Sequence, residues 1–401
     1  MTQLHTPLAR TSSASDTWFF LFIILLTAAN LRAPITSTGP VLRDICATFD
    51  LNPSAAGLLN FIPLMLFAAV APLASWGGNK IGLEKGLWGA VCLVTTGSIL
   101  RILPYEAGLW AGTIILSTGI AAANVLLPPL IKRDFKNHTA KYIGLYASTM
   151  AITASIASGV AVPLQQISPA GWSLSLGIWI VPAFVAAIAW IPLLKSTPSG
   201  HLNGHSSSSG KLKSPWKSLL GWQVSLFMAL QSMAFYTLID WFTPYAQSEG
   251  ISQESAGWLL FVYQAVAVIS NMVSIAVLKK LNDQRLISFI ASLAIFIGLL
   301  GLLVSPAMSL LWLVIAGSGA GASMVTCLSL FNLRAADHRQ AAQLSGMAQC
   351  VGYGVAALGP LLFGMLHQYS QSWSLPLAML LGANALQLIV APLAGRARQI
   401  G

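Results

Sequence analysis

The chain has 401 residues, of which 56% are hydrophobic and 8% charged, and its formal net charge is +10. A soluble domain carries about 25% charged residues, so this composition excludes an ordinary water-soluble globular protein and points to a chain that crosses a membrane many times. The positive balance raises nucleic acid as a partner, a question that the placement of the charges decides.

The N-terminal stretch 1–16, "MTQLHTPLARTSSASD", is short and polar and reads as a tail. No small-residue cleavage motif closes the apolar run that follows, so that run is expected to remain as the first span. A bilayer core of about 30 Å needs roughly 20 apolar residues as helix. Twelve segments meet that length, near 17–41, 54–76, 86–104, 107–131, 142–165, 172–194, 218–245, 255–278, 286–304, 308–332, 342–366 and 373–395.

The first segment contains "AANLRAPITSTGP" at 28–40. Arg32 lies ~15 residues into it, or ~22 Å of helix at 1.5 Å per residue, too deep for easy snorkelling to either interface. A central arginine costs about 2.5–3.5 kcal/mol on insertion scales and usually faces a bundle interior or a watery cavity. Its planar fork of donors suits a carboxylate-like or nitro oxygen pair, while the structural alternative is an arginine that ties helices through carbonyls. Pro34 removes a backbone donor and Gly39-Pro40 follows, so an irregular helix is expected, a form tolerated where it lines a cavity.

Asn124 in the fourth segment is placed to pin its inner end. "PLIKRDF" at 129–135 reads as a topology and inner-gate element with Lys132, Arg133 and Asp134, the last a partner for a neighbouring base. The stretch 195–217 is rich in Ser, Gly and Lys and reads as a flexible linker, with His201 and His205 as ordinary linker residues. It divides the spans into six and six, giving expected bundles at 17–194 and 218–395 and a tail at 396–401. In the seventh segment Tyr236 and Asp240 are four apart and share a helix face. Asp240 is the one acidic residue within an apolar span. It serves either proton coupling or a gating ion pair with Arg32, or it is a carboxylate at the water interface beside Trp241 and Tyr245. Tyr146, Gln231, Gln264, Asn271 and Gln349 are further polar residues in spans, where helix-to-helix hydrogen bonding is the commoner role. "GSGAGA" at 317–322 lacks a preceding strand and lies in a span, so it reads as close helix packing. The cysteines Cys46, Cys92, Cys327 and Cys350 show no paired spacing, and neither a disulfide framework nor a metal site is expected.

With the N-terminus placed inside, 18 of the 21 basic residues fall on the inner side; Arg43 and Arg101 lie outside or near the outer end, and Arg32 remains within a span. This bias places both termini in the cytoplasm. It also removes nucleic acid as a partner, because the basic residues are spread as topology signals. The halves echo each other: "AGLL" at 56–59 returns as "AGWL" at 256–259, and "TGIAAANVLLPPLIKRD" at 118–134 lies opposite "SGAGASMVTCLSLFNLR" at 318–334. "TGP" at 38–40 matches "FTP" at 242–244, an offset of 204 that carries Arg32 onto Tyr236. Such repeats mark secondary transporters with a midplane site between the repeats.

"NLRAPITSTGPVL" (30–42), "AGLLNFIPLMLFAAVAPLA" (56–74), "GIAAANVLLPPLIKRDF" (119–135) and "LSGMAQCVGYGVAALGPLLFG" (344–364) carry a resemblance to a known family. With twelve spans and a long central loop, the chain resembles the major facilitator superfamily, in the branch of cyanate permeases (CynX) and 2-nitroimidazole transporters (NimT), and closer to the latter. In the family's loop signature after span two, Ser75, Asn79 and Lys80 stand where Gly, Asp and Arg are usual, and Gly82 is kept. The departure removes the acidic residue of that loop. The resemblance implies an all-α membrane fold of two pseudo-symmetric six-helix bundles and a midplane site lined by the first span of each half. It adds Tyr146, Gln264 and Gln349 to Arg32 and Tyr236 as substrate contacts. It implies a monomer in the bacterial inner membrane that moves a 2-nitroimidazole-like solute, or a cyanate-like anion, with protons as the coupling ion. No cofactor is expected, and no enzyme motif such as HExxH, GxSxG or a Walker A loop is present. A transporter-fold sensor and a passive channel are the readings from other classes.

Overall fold

The computed structural model describes residues 14–135, 139–167, 169, 171–194, 214–278, 280–336 and 338–400. Most of the expected tail at 1–16 and most of the linker at 195–217, with His201 and His205, lie outside the described residues, as does the end of the tail at 396–401. The described chain is helical, without a strand among the described residues.

The first expected span, 17–41, is broken into α1 (Ala14–Ala29), α2 (Ala33–Thr36) and a 3-10 turn at Gly39–Val41, and α3 (Leu42–Phe49) follows beyond its expected end. The remaining helices of the first half are α4 (Pro53–Ile81), α5 (Leu83–Arg101), α6 (Glu106–Asp134), α7 (Thr139–Ile167), α8 (Trp172–Gly177) and α9 (Ile180–Leu194). The second half holds α10 (Leu219–Ser248), α11 (Gln253–Leu278), α12 (Arg285–Val304), α13 (Ser309–Leu333), α14 (His338–Ser370) and α15 (Ser374–Ala394). Among the described residues, 11 helical stretches are long and apolar enough to cross a membrane. The third expected crossing, α5, has 19 residues and carries Glu84, Lys85 and Arg101 at its ends. The expected span at 172–194 is broken between α8 and α9.

Local chemistry explains several ends. Asn52 caps α4, its side-chain oxygen accepting from the Ala55 amide at 2.8 Å, with Pro53 in the first turn, where its missing N–H costs nothing. Asp50 ends α3 in the left-handed region at φ 53°, a conformation that Asp tolerates better than most residues. The glycines at 317–322 pack as expected of a small-residue face. At Gly321 a Cβ would stand 1.9 Å from the Ala267 carbonyl oxygen, so only glycine allows α13 to lie this close to α11.

Within the first half α5 packs on α6 and α9, α4 on α6, and α1 on α7; within the second, α11 and α12 pack on α13, and α10 on α14 and α15. The halves meet along α4 with α14, α7 with α11, and the Gly39–Val41 turn with α10. These contacts gather toward the end opposite the termini. There Gly57 faces the Pro360 carbonyl, Ser54 Oγ donates to Gln368 Oε1, and Arg43 donates to Gln247 at 3.3 Å. Gln253 donates to Pro40 O at 3.1 Å and to Asp44 Oδ2 at 2.7 Å. These hydrogen bonds seal that end. Toward the end that carries both termini, nothing among the described residues lies within 4 Å of a Cβ built at Gly77 of α4 or Gly346 of α14.

Candidate substrate site

The site is made by the break in the first span. Without an N–H on Pro34, and with Gly39-Pro40 close behind, the helical ladder cannot run through, and tight turns replace it, such as Leu31 N to Ala28 O at 3.1 Å. A broken helix inside a membrane leaves carbonyls that need donors, and neighbouring helices supply them. Thr153 Oγ1 donates to Ala29 O at 3.4 Å and Ser158 Oγ to Thr36 O at 3.1 Å. Arg101 donates to Pro34 O at 2.7 Å and to Thr38 Oγ1 at 2.8 Å. A Cβ at Gly39 would stand 2.1 Å from the Ile239 carbonyl oxygen, so the glycine lets the break lie directly against α10.

Arg32 opens this break. It is part-buried, donates from Nη1 to the Tyr236 hydroxyl, and holds its Cζ 5.4 Å from the centroid of the same ring. Arg32 and Tyr236 are 204 residues apart, as are the hydrogen-bonded Arg43 and Gln247. Both contacts therefore join equivalent positions of the expected repeat, Arg43–Gln247 at the end opposite the termini and Arg32–Tyr236 within the broken span.

Aromatic rings surround the guanidinium. Tyr146 and Tyr353 lie near it alongside Tyr236. Tyr353 stands edge-on to Tyr236 at 6.3 Å and to Phe67 at 5.7 Å between centroids, and Phe235 flanks Tyr236 at 5.4 Å. The Tyr146 hydroxyl donates to Asn124 Oδ1 at 3.1 Å, joining α7 to α6. A cation with spare donors inside a collar of rings suits a flat solute that carries paired oxygens.

On the sealed side of Arg32 lies a small cavity lined by Tyr236, Asp240, Arg101, Asn60, Thr38 and Ser117 among others. Arg101 and Asp240 are each 4% exposed. The structure thus differs from two expectations. Asp240 is buried in the seam, not at a water interface, because α10 is covered on that face by the broken span. Its nearest opposite charge is Arg101, whereas Arg32 is engaged by Tyr236.

The other expected residues fall in different places. Gln264 sits in the sealed seam, 3% exposed, donating to Ser158 Oγ at 2.6 Å. Gln349 is exposed one helical turn from Tyr353, on the side nearer the termini, and bonds Ser345 at 3.0 Å. Arg133 pairs with Glu84 and, at 2.7 Å, with Asp134, all within the first half; Lys132 beside them is exposed. The repeat places Gln284 in the second half as the counterpart of Glu84, and it too accepts from an arginine, Arg334, one residue beyond the position equivalent to Arg133; Arg334 also donates to Gly395 O at 2.9 Å. Among the described residues no group of His, Cys, Asp and Glu is placed to hold a metal ion, and all four cysteines are free.

Sequence reasoning missed Arg101, Tyr353 and Asn60. Charge counting places Arg101 near the outer end, although it is a basic residue that topology does not require. Tyr353 lies within the stretch 344–364, which carries the family resemblance and does not by itself single out this ring.

The Major Facilitator Superfamily model matches residues 17–360. The chain is 37% identical to an uncharacterised transporter, YycB, of Bacillus subtilis (strain 168), over 96% of this chain and 94% of that protein. It is 36% identical to the 2-nitroimidazole transporter of Escherichia coli (strain K12), over 94% and 95% of the two chains, and 23% identical to the cyanate transport protein CynX of the same organism, over 93% and 97%. Among solved structures, a D-xylose-proton symporter superposes with a TM-score of 0.75 at 14% identity, covering 92% of this chain and 97% of that one.

Proposed function

Because this chain belongs to the major facilitator superfamily of membrane transporters, we propose that the solute it moves is a small nitro-bearing heteroaromatic of the 2-nitroimidazole kind. The chain is a multi-pass membrane transporter and not an enzyme. The observation that carries the substrate reading is Arg32: a guanidinium that bonds across the two halves to Tyr236, ringed by Tyr146, Tyr236 and Tyr353. The nitro oxygens take the free donors of Arg32, and the heteroaromatic ring lies against Tyr353 and Phe67. The 36% identity to a 2-nitroimidazole transporter supports this choice.

Transport follows alternating access. The two bundles, 17–194 and 218–395, rock about the Arg32–Tyr236 contact, joined by the linker at 195–217. The positive-inside bias puts both termini in the cytoplasm of a bacterial inner membrane, so the end opposite the seal faces inward. Gln349 then lines the inward path, while Gln264 belongs to the outer seal. Asn124 holds Tyr146 in place, and Arg133 with Asp134 and Lys132 steadies the inner end of α6. Protons are the coupling ion, the protein acts as a monomer, and the solute and the bilayer are its partners.

A second reading, a cyanate-like anion, is favoured by the charges at the site: Arg32 and Arg101 stand against Asp240 alone. The likeness to CynX agrees with it. One experiment separates the readings. Cells lacking and cells overproducing the protein are scored for 2-nitroimidazole sensitivity and for labelled cyanate uptake. A change in the first alone supports the heteroaromatic, a change in the second alone supports the anion, and a change in neither refutes both.

A further inference from the structure

At the end that carries the termini, the outer faces of α10 and α15 end side by side. On α15 the exposed residues Leu386, Ile389 and Leu393 recur three and four apart and form one apolar stripe. Arg396 continues that spacing just past the last residue of α15, where the stripe stops. On α10, Leu219 and Trp222 lie three apart on one face and are 74% and 45% exposed. The two helices pack on each other, and Arg396 Nη2 donates to Gln223 Oε1 at 3.0 Å, which brings the arginine beside Trp222. The 3-10 turn Pro215–Lys217 leads into α10 and adds the exposed Trp216 and Lys217. The two indoles stand edge to face, 5.9 Å between centroids, with Trp222 Nε1 donating to Trp216 O at 3.0 Å.

Indoles settle at the level of lipid headgroups, and basic residues beside them attract anionic lipid. Arg396 is held by its bond to Gln223 and by a second from Nε to Leu393 O at 2.9 Å, and neither uses Nη1. Neither Arg396 nor Lys217 has an ion-pair partner among the described residues. The stretch that begins at Arg396 is anchored at its far end. Ile400 is 2% exposed, in a core shared by α10, α13, α14 and α15. Its amide donates to Arg334 O at 2.8 Å, and its carbonyl accepts from Gln340 Nε2 at 3.1 Å. Gly395 O, at the near end, accepts from Gln284 N at 3.0 Å and from Arg334 Nη2 at 2.9 Å. Residues 395–400 thus strap the turn between α13 and α14 to the end of α15.

We propose that the seam between α10 and α15 at this end binds one anionic phospholipid, with the phosphate on Arg396 and Lys217 beside the indole pair and an acyl chain along the α15 stripe. A lipid fits better than a free phosphate ion because the basic pair stands where two apolar faces end. The bound headgroup holds Arg396 in place. Arg396 opens the strap, so the lipid also steadies Ile400 in its core and, through Arg334 and Gln340, the first turns of α14. That helix packs on α4 of the other half, so the lipid acts on an element that joins the two bundles. The site is separate from the Arg32 site and does not depend on which solute is moved.

The test titrates the purified full chain in detergent with phosphatidylglycerol, phosphatidylethanolamine or inorganic phosphate. Bound lipid is counted by native mass spectrometry, and the melting temperature is read alongside. Phosphatidylglycerol should bind and raise the melting temperature, and the other two should do neither at the same concentration. Arg396→Gln and Lys217→Gln should each weaken phosphatidylglycerol about fivefold, the effect of one basic residue near an anionic surface, and Arg396→Lys should recover most of the loss. Lys217 is exposed, so its variant decides the matter should Arg396→Gln fail to fold. Trp222→Leu should weaken binding as well. Trp18→Leu should not, although Trp18 is 71% exposed and stands at the expected repeat position, 204 residues before Trp222. Ile400→Ser separates binding from its consequence: phosphatidylglycerol should bind as before, but it should no longer slow amide exchange in the first turns of α14. Equal binding of phosphatidylethanolamine, unchanged affinity in Lys217→Gln, or a loss in Trp18→Leu as large as in Trp222→Leu overturns the site. Slowed exchange in α14 that persists in Ile400→Ser overturns the part given to the strap.

Discussion

Replacing Arg32 by alanine tests the site at its centre. The guanidinium gives one hydrogen bond to Tyr236, and its other N–H groups are the donors that the proposed solute would use. A hydrogen bond to a charged group contributes about 1.5–3 kcal/mol, which at 1.4 kcal/mol per tenfold means a loss of roughly 10- to 150-fold in transport efficiency. Folding should survive: removing an arginine from mid-span relieves about 2.5–3.5 kcal/mol of insertion cost, which offsets the buried Tyr236 hydroxyl left without its partner. Arg32→Lys keeps the charge but not the planar fork, so it should recover only part of the loss. The assay is initial uptake of labelled solute into proteoliposomes, normalised to protein that elutes as a single species. Transport by Arg32→Ala within about twofold of the unaltered chain, against the 10-fold or larger loss expected from the lost bond, would refute the assignment.

Tyr353→Ala removes a ring and no charge, so it should weaken 2-nitroimidazole transport by about fivefold to tenfold, in line with roughly 1–1.5 kcal/mol for an aromatic contact, and leave cyanate uptake little changed in the same assay. Gly39→Val sets side-chain atoms where the Ile239 carbonyl already stands at 2.1 Å; transport should be lost although insertion persists, read by uptake beside membrane fractionation. Glu84→Gln gives Arg133 the same neutral amide acceptor that Gln284 gives Arg334 in the other half, so thermal stability in detergent should change little. Arg133→Ala instead strands Glu84, which is 6% exposed, and should cost on the order of 1–3 kcal/mol, seen as a lower melting temperature.

How far the site was legible depended on the kind of signal. A charge in the middle of an apolar run needs no neighbours to be noticed, and the repeat offset then named Tyr236, which the fold places in contact with Arg32 at that same separation. Pro34 and Gly39-Pro40 announced the broken helix through backbone chemistry alone. Arg101 could not be found this way, because a basic residue at a helix end looks the same whether it meets water or folds back into a break. Tyr353 was hidden because which face of α14 meets the other half is set by packing against α4 and α10, and that packing is not written in the local sequence.

A helical membrane fold of many crossings is legible along the chain, because hydrophobic length and the distribution of charge are written locally; among the described residues 11 helical stretches meet that length. Which end is sealed, that Asp240 and Arg101 line one cavity while Arg32 holds Tyr236, and that Gln264 lies in the seam emerge only from the fold. Those facts depend on distances between residues far apart in the chain, and such distances are settled only when the carbonyls freed by the break find donors on other helices and the two halves close on each other.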